Sequence, residues 1–287
     1  MSLHARNKHK GTYDFPELIR ISPTLKNFIK PNKFGNDSID FSNQEAVKTL
    51  NQALIKSYYQ ISSWDIPKEY LIPPIPGRGD YIHHLADLLG EPMGSETKVL
   101  DIGTGSSLIY PIIGNRDYGW SFIGSEIDPT SLENAQTIID QNTKLKNIEL
   151  RFQKNSRDIF LGVLKSNEFV DACICNPPFH ANQEEAQKGT LRKIRNLNKG
   201  KNIKSTKLNF GGVSNELITE GGEKQFIFNM IKQSVRFSKN IGWFTTLVSK
   251  ESIVPAIQSS LRANGAKTKI IKMEHGNKKS RIVCWKF

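Results

Sequence analysis

From residue 97 to the end of the chain, short apolar runs alternate with segments whose apolar residues recur at helical spacing. The runs at 97–102, 120–125, 147–153, 169–175, 241–248, 266–273 and 280–286 predict strands, because a buried strand needs only a brief apolar stretch between turn residues. The stretches 129–142, 222–239 and 251–262 predict helices, and Ser106 to Ile113 predicts one more. Repeated strand–helix units make a parallel sheet with right-handed crossovers. The last two runs have no helix between them, which predicts an antiparallel hairpin. Residues 12 to 94 are patterned differently: behind a cap at Ser42–Glu45, the positions Val47, Leu50, Leu54 and Tyr58 fall on one helical face. The expected organisation is therefore a basic tail and mainly helical extension over 1–95, then an α/β domain over 96–287.

Composition narrows the class. A chain of 287 residues with 37% hydrophobic content suits one α/β domain with an appendage. Cys173, Cys175 and Cys284 all fall within predicted strands, so they read as buried thiols of a reducing compartment. Cys173 and Cys175 stand two apart on one predicted strand with no second pair, which argues against zinc, and no other metal-ligand set is legible. No apolar run approaches the ~20 residues of a membrane span and no leader is visible. A cytoplasmic, monomeric protein is expected, with neither membrane nor metal as partner.

The net charge of +12 is unevenly spread. Between 188 and 207 stand Lys188, Arg192, Lys193, Arg195, Lys199, Lys201, Lys204 and Lys207 with no acidic residue. This Asn-, Gly- and Ser-rich stretch predicts a mobile basic loop over 188–213. Arg6, Lys8 and Lys10 open the chain beside His4 and His9, and Lys278, Lys279 and Arg281 precede the last strand. Three such clusters point to phosphate contacts.

Two turns carry the chemistry. Asn176-Pro177-Pro178-Phe179 follows a predicted strand, and the carboxyl ends of strands are where open α/β sheets bind ligands. Two prolines hold Asn176 extended and leave the Pro177 carbonyl free. The Asn176 side-chain oxygen and that carbonyl offer two acceptors, one for each hydrogen of an exocyclic NH2 group. Phe179 could stack on the attached ring, a contact worth about 1–3 kcal/mol per base in single-strand binders. Upstream, Asp101-Ile102-Gly103-Thr104-Gly105 closes another strand; Gly103 and Gly105 permit a tight turn and close approach to a ligand. Glu126 ends the next strand, where an acidic residue accepts hydrogen bonds from ribose. The third glycine of the dinucleotide fingerprint is missing, which disfavours a pyrophosphate cofactor.

With these motifs the chain resembles the class I S-adenosylmethionine-dependent methyltransferases that carry [DN]-P-P-[FYW]. More closely it is similar to the large-subunit rRNA adenine N6-methyltransferase F family. The likeness includes Leu3–His9, Trp64–Pro67, Pro73–His84, Asp101–Gly105, Asn176–Phe179 and Asn209–Gly212. The resemblance implies a Rossmann-like α/β fold with a seven-stranded, mostly parallel sheet and an antiparallel last strand. It implies S-adenosyl-L-methionine as cofactor, with Arg78, Asp101, Gly103, Gly105, Glu126, Asn155, Ser156 and Asn176 around it, Arg78 placed for the methionine carboxylate and Asn155 or Ser156 for the adenine. It implies Asn176, Pro177, Pro178 and Phe179 as the catalytic turn, and 23S rRNA or a large-subunit precursor as partner. RNA contacts would then fall on Arg6, Lys8, Lys188, Arg192, Lys193, Arg195, Lys279 and Arg281. Two other readings stay open. An amide NH2 fits the same socket, so a protein-glutamine methyltransferase is one; a non-catalytic RNA-binding protein on this fold is the other.

Overall fold

A computed structural model describes residues 3–180, 218–275 and 278–287. The basic loop expected over 188–213 lies outside these residues, and so do Lys188, Arg192, Lys193 and Arg195.

The amino-terminal part contributes α1 (Phe15–Ile21), a small antiparallel pair β1 (Ile29–Pro31) and β2 (Asp37–Ile39), α2 (Gln44–Tyr59) and α3 (Ile75–Leu89). Asn43 caps α2 by accepting from Ala46 N at 3.2 Å, and Ala46, Leu50, Ala53 and Leu54 bury one face of it. Then follow β3 (Lys98–Ile102), α4 (Ile109–Tyr118), β4 (Ser121–Glu126), α5 (Pro129–Asp140), β5 (Ile148–Phe152) and β6 (Val170–Cys175). After the undescribed segment come α6 (Gly222–Ser234), β7 (Ile241–Val248), α7 (Val254–Ala263), β8 (Lys267–His275) and β9 (Lys278–Lys286).

The sheet order is β5-β4-β3-β6-β7-β9-β8. All pairings are parallel except those of β9, which runs antiparallel to both β7 and β8. The expected sheet is thus present, with the final strand inserted beside β7 and β8 left at the edge. Strand residues alternate between two apolar clusters: Val99, Ala172, Ile174 and Cys284 pack with α2, α3 and α4, whereas Leu100, Cys173, Phe244, Val283 and Trp285 pack with α6 and α7. The first cluster joins the amino-terminal helices to the sheet, so the apolar core runs on across residue 95.

Three local expectations shift. Helix α4 begins at Ile109 rather than Ser106, because Leu108 takes a left-handed conformation (φ 52°) that breaks the helical run, and it continues to Tyr118. The helix expected over 222–239 ends at Ser234 in a series of turns. The β1–β2 pair was not anticipated, being two strands of three residues each.

Candidate functional site

Chain order reverses between β3 and β6, whose ends pair at Ile102 and Cys175. The glycine turn and the Asn176 turn therefore leave the sheet side by side, at the switch point where doubly wound sheets open a crevice. Gly103 and Gly105 take φ of +68° and +65°, a left-handed conformation that side chains resist. Gly103 N and Thr104 N both donate to Ser125 O, at 2.9 and 3.0 Å. This ties the turn to the neighbouring strand.

Glu126 closes the wall. Its carboxylate accepts from Gly105 N at 2.9 Å, Ile127 N at 2.8 Å and Asp128 N at 3.0 Å. Burial raises its pKa while these backbone bonds oppose the rise. Two of the three bonds fall on Oε1 and one on Oε2, so Oε2 keeps acceptor capacity for a further donor. Glu126 thus shapes the glycine turn while keeping room for one more donor.

Asp101 lies on the sheet face covered by α3 and α4 and is only 1% exposed. Neither of its oxygens makes a hydrogen bond of ordinary geometry, although the Thr104 hydroxyl is near enough to lower its pKa; Thr104 Oγ1, Ser106 Oγ and Asn176 Oδ1, all buried, likewise lack such bonds. An unsatisfied buried polar atom costs about 1–3 kcal/mol. Five of them around one turn pair mark a place where a ligand supplies the missing partners. Burial pushes the Asp101 carboxyl up to about 7, opposed by the neighbouring Thr104 hydroxyl and by Arg78, with the Glu126 charge adding to the shift. Arg78, on α3, is 9% exposed and donates from Nη1 to Tyr110 Oη at 2.8 Å. Its guanidinium carbon lies 5.3 Å from the centre of the Tyr110 ring. No carboxylate forms an ion pair with it among the described residues. A buried cation and a buried anion, each lacking a direct counter-ion, suit a zwitterionic amino-acid group.

The remaining predicted residues are placed as follows. Pro177 is buried, and Asn176, Pro178 and Phe179 are half-buried. Asn155 and Ser156 are exposed in the loop after β5. The Asn155 side chain closes that loop, donating to Asp158 Oδ2 at 2.8 Å and accepting from Arg157 N at 3.1 Å. Arg6 donates to Tyr118 Oη, Glu91, Asp87 and the His83 carbonyl. Lys8 pairs with Asp117 at 2.5 Å. Arg281 pairs with Glu251 at 3.3 Å, and Lys279 is exposed on β9. Sequence reasoning missed Thr104, Ser106 and Tyr110. The first two stand within or beside the glycine turn and were open to notice, whereas Tyr110 has only the look of a core aromatic. Among the described residues His4, His84 and Asp87 bring possible ligand atoms within 4.8 Å of one another, but Arg6 already holds Asp87. No described helix is long and apolar enough to cross a membrane. Two surface hollows of about 400 and 440 Å³ lie at residues 166–169 with 236–240 and at 61–65 with 134–141. Neither contains the unsatisfied groups.

A model of a family described as RNA methyltransferase matches residues 1–287. The chain belongs to this family. Within it the chain stands with proteins named ribosomal RNA large subunit methyltransferase F. It is 50% identical to the one from Bacteroides thetaiotaomicron, covering 99% of this chain and 97% of the relative. It is also 50% identical to that of Pseudomonas syringae pv. tomato, covering 100% and 90%. The human METTL16 catalytic domain, solved with the MAT2A 3′UTR hairpin 1, matches with TM-score 0.85 at 30% identity over 100% of this chain and 96% of that one. The amino-terminal domain of human METTL16 in complex with SAH matches with TM-score 0.79 at 28% identity, covering 100% and 99%. The class I methyltransferase fold that the resemblance implied is the fold of this chain.

Proposed function

We propose that this methyltransferase transfers a methyl group from S-adenosyl-L-methionine to the N6 amine of an adenine in 23S rRNA. The observation that carries the reading is the set of unsatisfied buried groups where the glycine turn meets the Asn176 turn. S-adenosylmethionine supplies the methyl as a substituent of a sulfonium. On this side, Asp101 would hold the amino group of its methionine part, Arg78 the carboxylate, and Glu126 the ribose. Asn155 or Ser156 would lie toward the adenine.

The target nitrogen is a poor nucleophile, because its lone pair is conjugated with the ring. Asn176 Oδ1 and the Pro177 carbonyl accept its two hydrogens and favour a localised lone pair, which is electrostatic preorganisation rather than base catalysis. Phe179 stacks on the base, which must leave its helix to arrive. Proton loss follows methyl transfer, since the resulting ammonium is acidic. The cations at Lys188, Arg192, Lys193 and Arg195, together with Lys279, are the proposed phosphate contacts, while Arg6, Lys8 and Arg281 already have acidic partners. Action as a monomer in the cytoplasm belongs to the same reading.

The test is to map N6-methyladenine in 23S rRNA from cells with and without the gene, and to restore it with purified protein. One adenine losing its methyl group supports the reading. An unchanged rRNA, with methylation appearing instead on a protein glutamine, overturns it.

A further inference from the structure

Arg78 is the only cation proposed for the cofactor's amino-acid end, and a flexible side chain on the first turn of α3 needs to be aimed. Two sets of contacts aim it. At the guanidinium, Tyr110 Oη receives the Nη1 hydrogen at 2.8 Å from within the core, Tyr110 itself being 4% exposed. At the backbone, the segment from His4 to His9 is fastened to the same helical turn. Asn7, 4% exposed, donates from Nδ2 to Pro76 O at 2.9 Å and to Asp80 Oδ1 at 3.2 Å. Its own Oδ1 accepts from His9 N at 2.9 Å, and His4 N donates to Asp80 Oδ1 at 2.6 Å. Pro76 and Asp80 flank Arg78 in sequence, so these bonds fix the turn from which its side chain departs.

We propose that Asn7 and Tyr110 are positioning residues, acting through Arg78 to set affinity for the carboxylate end of the cofactor. Neither touches the cofactor in this scheme. Asn7 holds the α3 turn against the amino-terminal segment, and Tyr110 selects the direction of the guanidinium. The hydrogen bonds left on Arg78 then converge on a carboxylate without the side-chain entropy cost of searching for it. The inference rests on the cofactor reading above.

The experiment compares two ligands by calorimetry on the full chain. S-adenosylhomocysteine has the amino-acid group, and 5′-methylthioadenosine lacks it. Arg78→Ala should abolish most of the preference for the first ligand. Tyr110→Phe, which keeps the ring and removes only the hydroxyl, should weaken S-adenosylhomocysteine about 3- to 10-fold, as the loss of one well-placed hydrogen bond does. Asn7→Ala should do the same, and both variants should bind methylthioadenosine within about twofold of the wild type. Equal losses for both ligands, or no loss for either, in Tyr110→Phe would overturn the proposal. If Asn7→Ala fails to fold, Tyr110→Phe and Asn7→Ser still decide it by the ratio of the two affinities. A preference that survives Arg78→Ala would instead sink the assignment of Arg78 to the carboxylate, a separate failure.

Discussion

Two clusters of polar groups flank the site's arginine, and they differ in how completely their hydrogen bonds are made. In the amino-terminal cluster, Arg6 reaches four acceptors, Lys8 has Asp117, Asn7 bonds at both ends and His9 Nε2 meets Tyr59 Oη at 2.8 Å. Burial, aided by Lys8, lowers the His9 pKa to about 4, so that ring is neutral at pH 7. In the cluster at the sheet's switch point, Asp101, Thr104, Ser106 and Asn176 keep buried atoms without a hydrogen bond of ordinary geometry. Both clusters are rich in residues that sequence reasoning assigns to ligands. The first leaves two buried atoms without a hydrogen bond, His83 Nε2 and Asp117 Oδ2, which face each other at 3.8 Å, whereas the second leaves five around one turn pair. It is the extent of pairing, rather than the residue type, that separates a binding surface from a fastening.

The sharpest way to break this contrast is to remove the acceptor proposed for the target amine. Asn176→Ala should lower single-turnover methylation of RNA by about 100- to 1,000-fold, the effect of deleting one preorganised polar group in a reaction site. Cofactor affinity should change little, because in the proposed reading that acceptor serves the target amine. A large loss of cofactor affinity with normal turnover at saturation would place Asn176 on the cofactor instead.

Asp101 gives the next largest effect and a sign that can be checked. In the free protein its pKa stands at about 7, well above 3.8, so at pH 6 most of it is neutral. Binding an ammonium group favours the carboxylate. Cofactor affinity should therefore be flat above about pH 8 and fall toward tenfold per pH unit well below 7. Asp101→Asn should weaken binding about 10- to 100-fold at pH 8, the scale of one buried charged hydrogen bond, and remove the slope. Titration by calorimetry in several buffers would show it. Wild-type affinity that does not vary between pH 5.5 and 8.5 would mean that Asp101 faces no charge.

Much of this site was legible because its chemistry is local. The glycines at 103 and 105 are demanded by backbone conformation, and Asn176 to Phe179 follow β6 directly as an irregular segment that two prolines stiffen. The strands were legible because each is a short apolar run. What escaped depends on partners distant in sequence: Arg6 meets Tyr118, His9 meets Tyr59, and Arg78 meets Tyr110. No pattern along the chain reveals that a basic tail is already paired. The start of α4 escaped because one left-handed residue, Leu108, delays the helix without any glycine or proline to announce it.

Glu126 joins both behaviours and sharpens the contrast at an intermediate scale. Since its carboxylate accepts three backbone N–H groups, Glu126→Ala should cost about 1–3 kcal/mol of folding stability, beyond any loss of ribose binding. Glu126→Gln retains one acceptor oxygen and should recover part of the stability. Urea unfolding and cofactor calorimetry on both variants separate the two roles. If Glu126→Ala unfolds like the wild type, the backbone bonds contribute nothing and only the ligand role remains.

The smallest effect tests the paired side. The Lys8–Asp117 pair joins a Lys side chain 40% exposed to an Asp side chain 5% exposed. After allowing for solvent screening of the lysine, a double-mutant cycle with Lys8→Ala and Asp117→Asn should give a coupling of about 0.5–1 kcal/mol. Its consequence for RNA is the informative part. A lysine held by Asp117 releases no counterions on RNA binding, so Lys8→Ala should leave the salt dependence of RNA affinity unchanged. Neutralising Arg192, Lys193 and Arg195 together should reduce that slope by about 0.7–0.9 for each phosphate contact removed. If Lys8→Ala also lowers the slope by that amount, Lys8 leaves Asp117 for a phosphate when RNA arrives, and the fastening of the amino-terminal segment is itself part of RNA recognition.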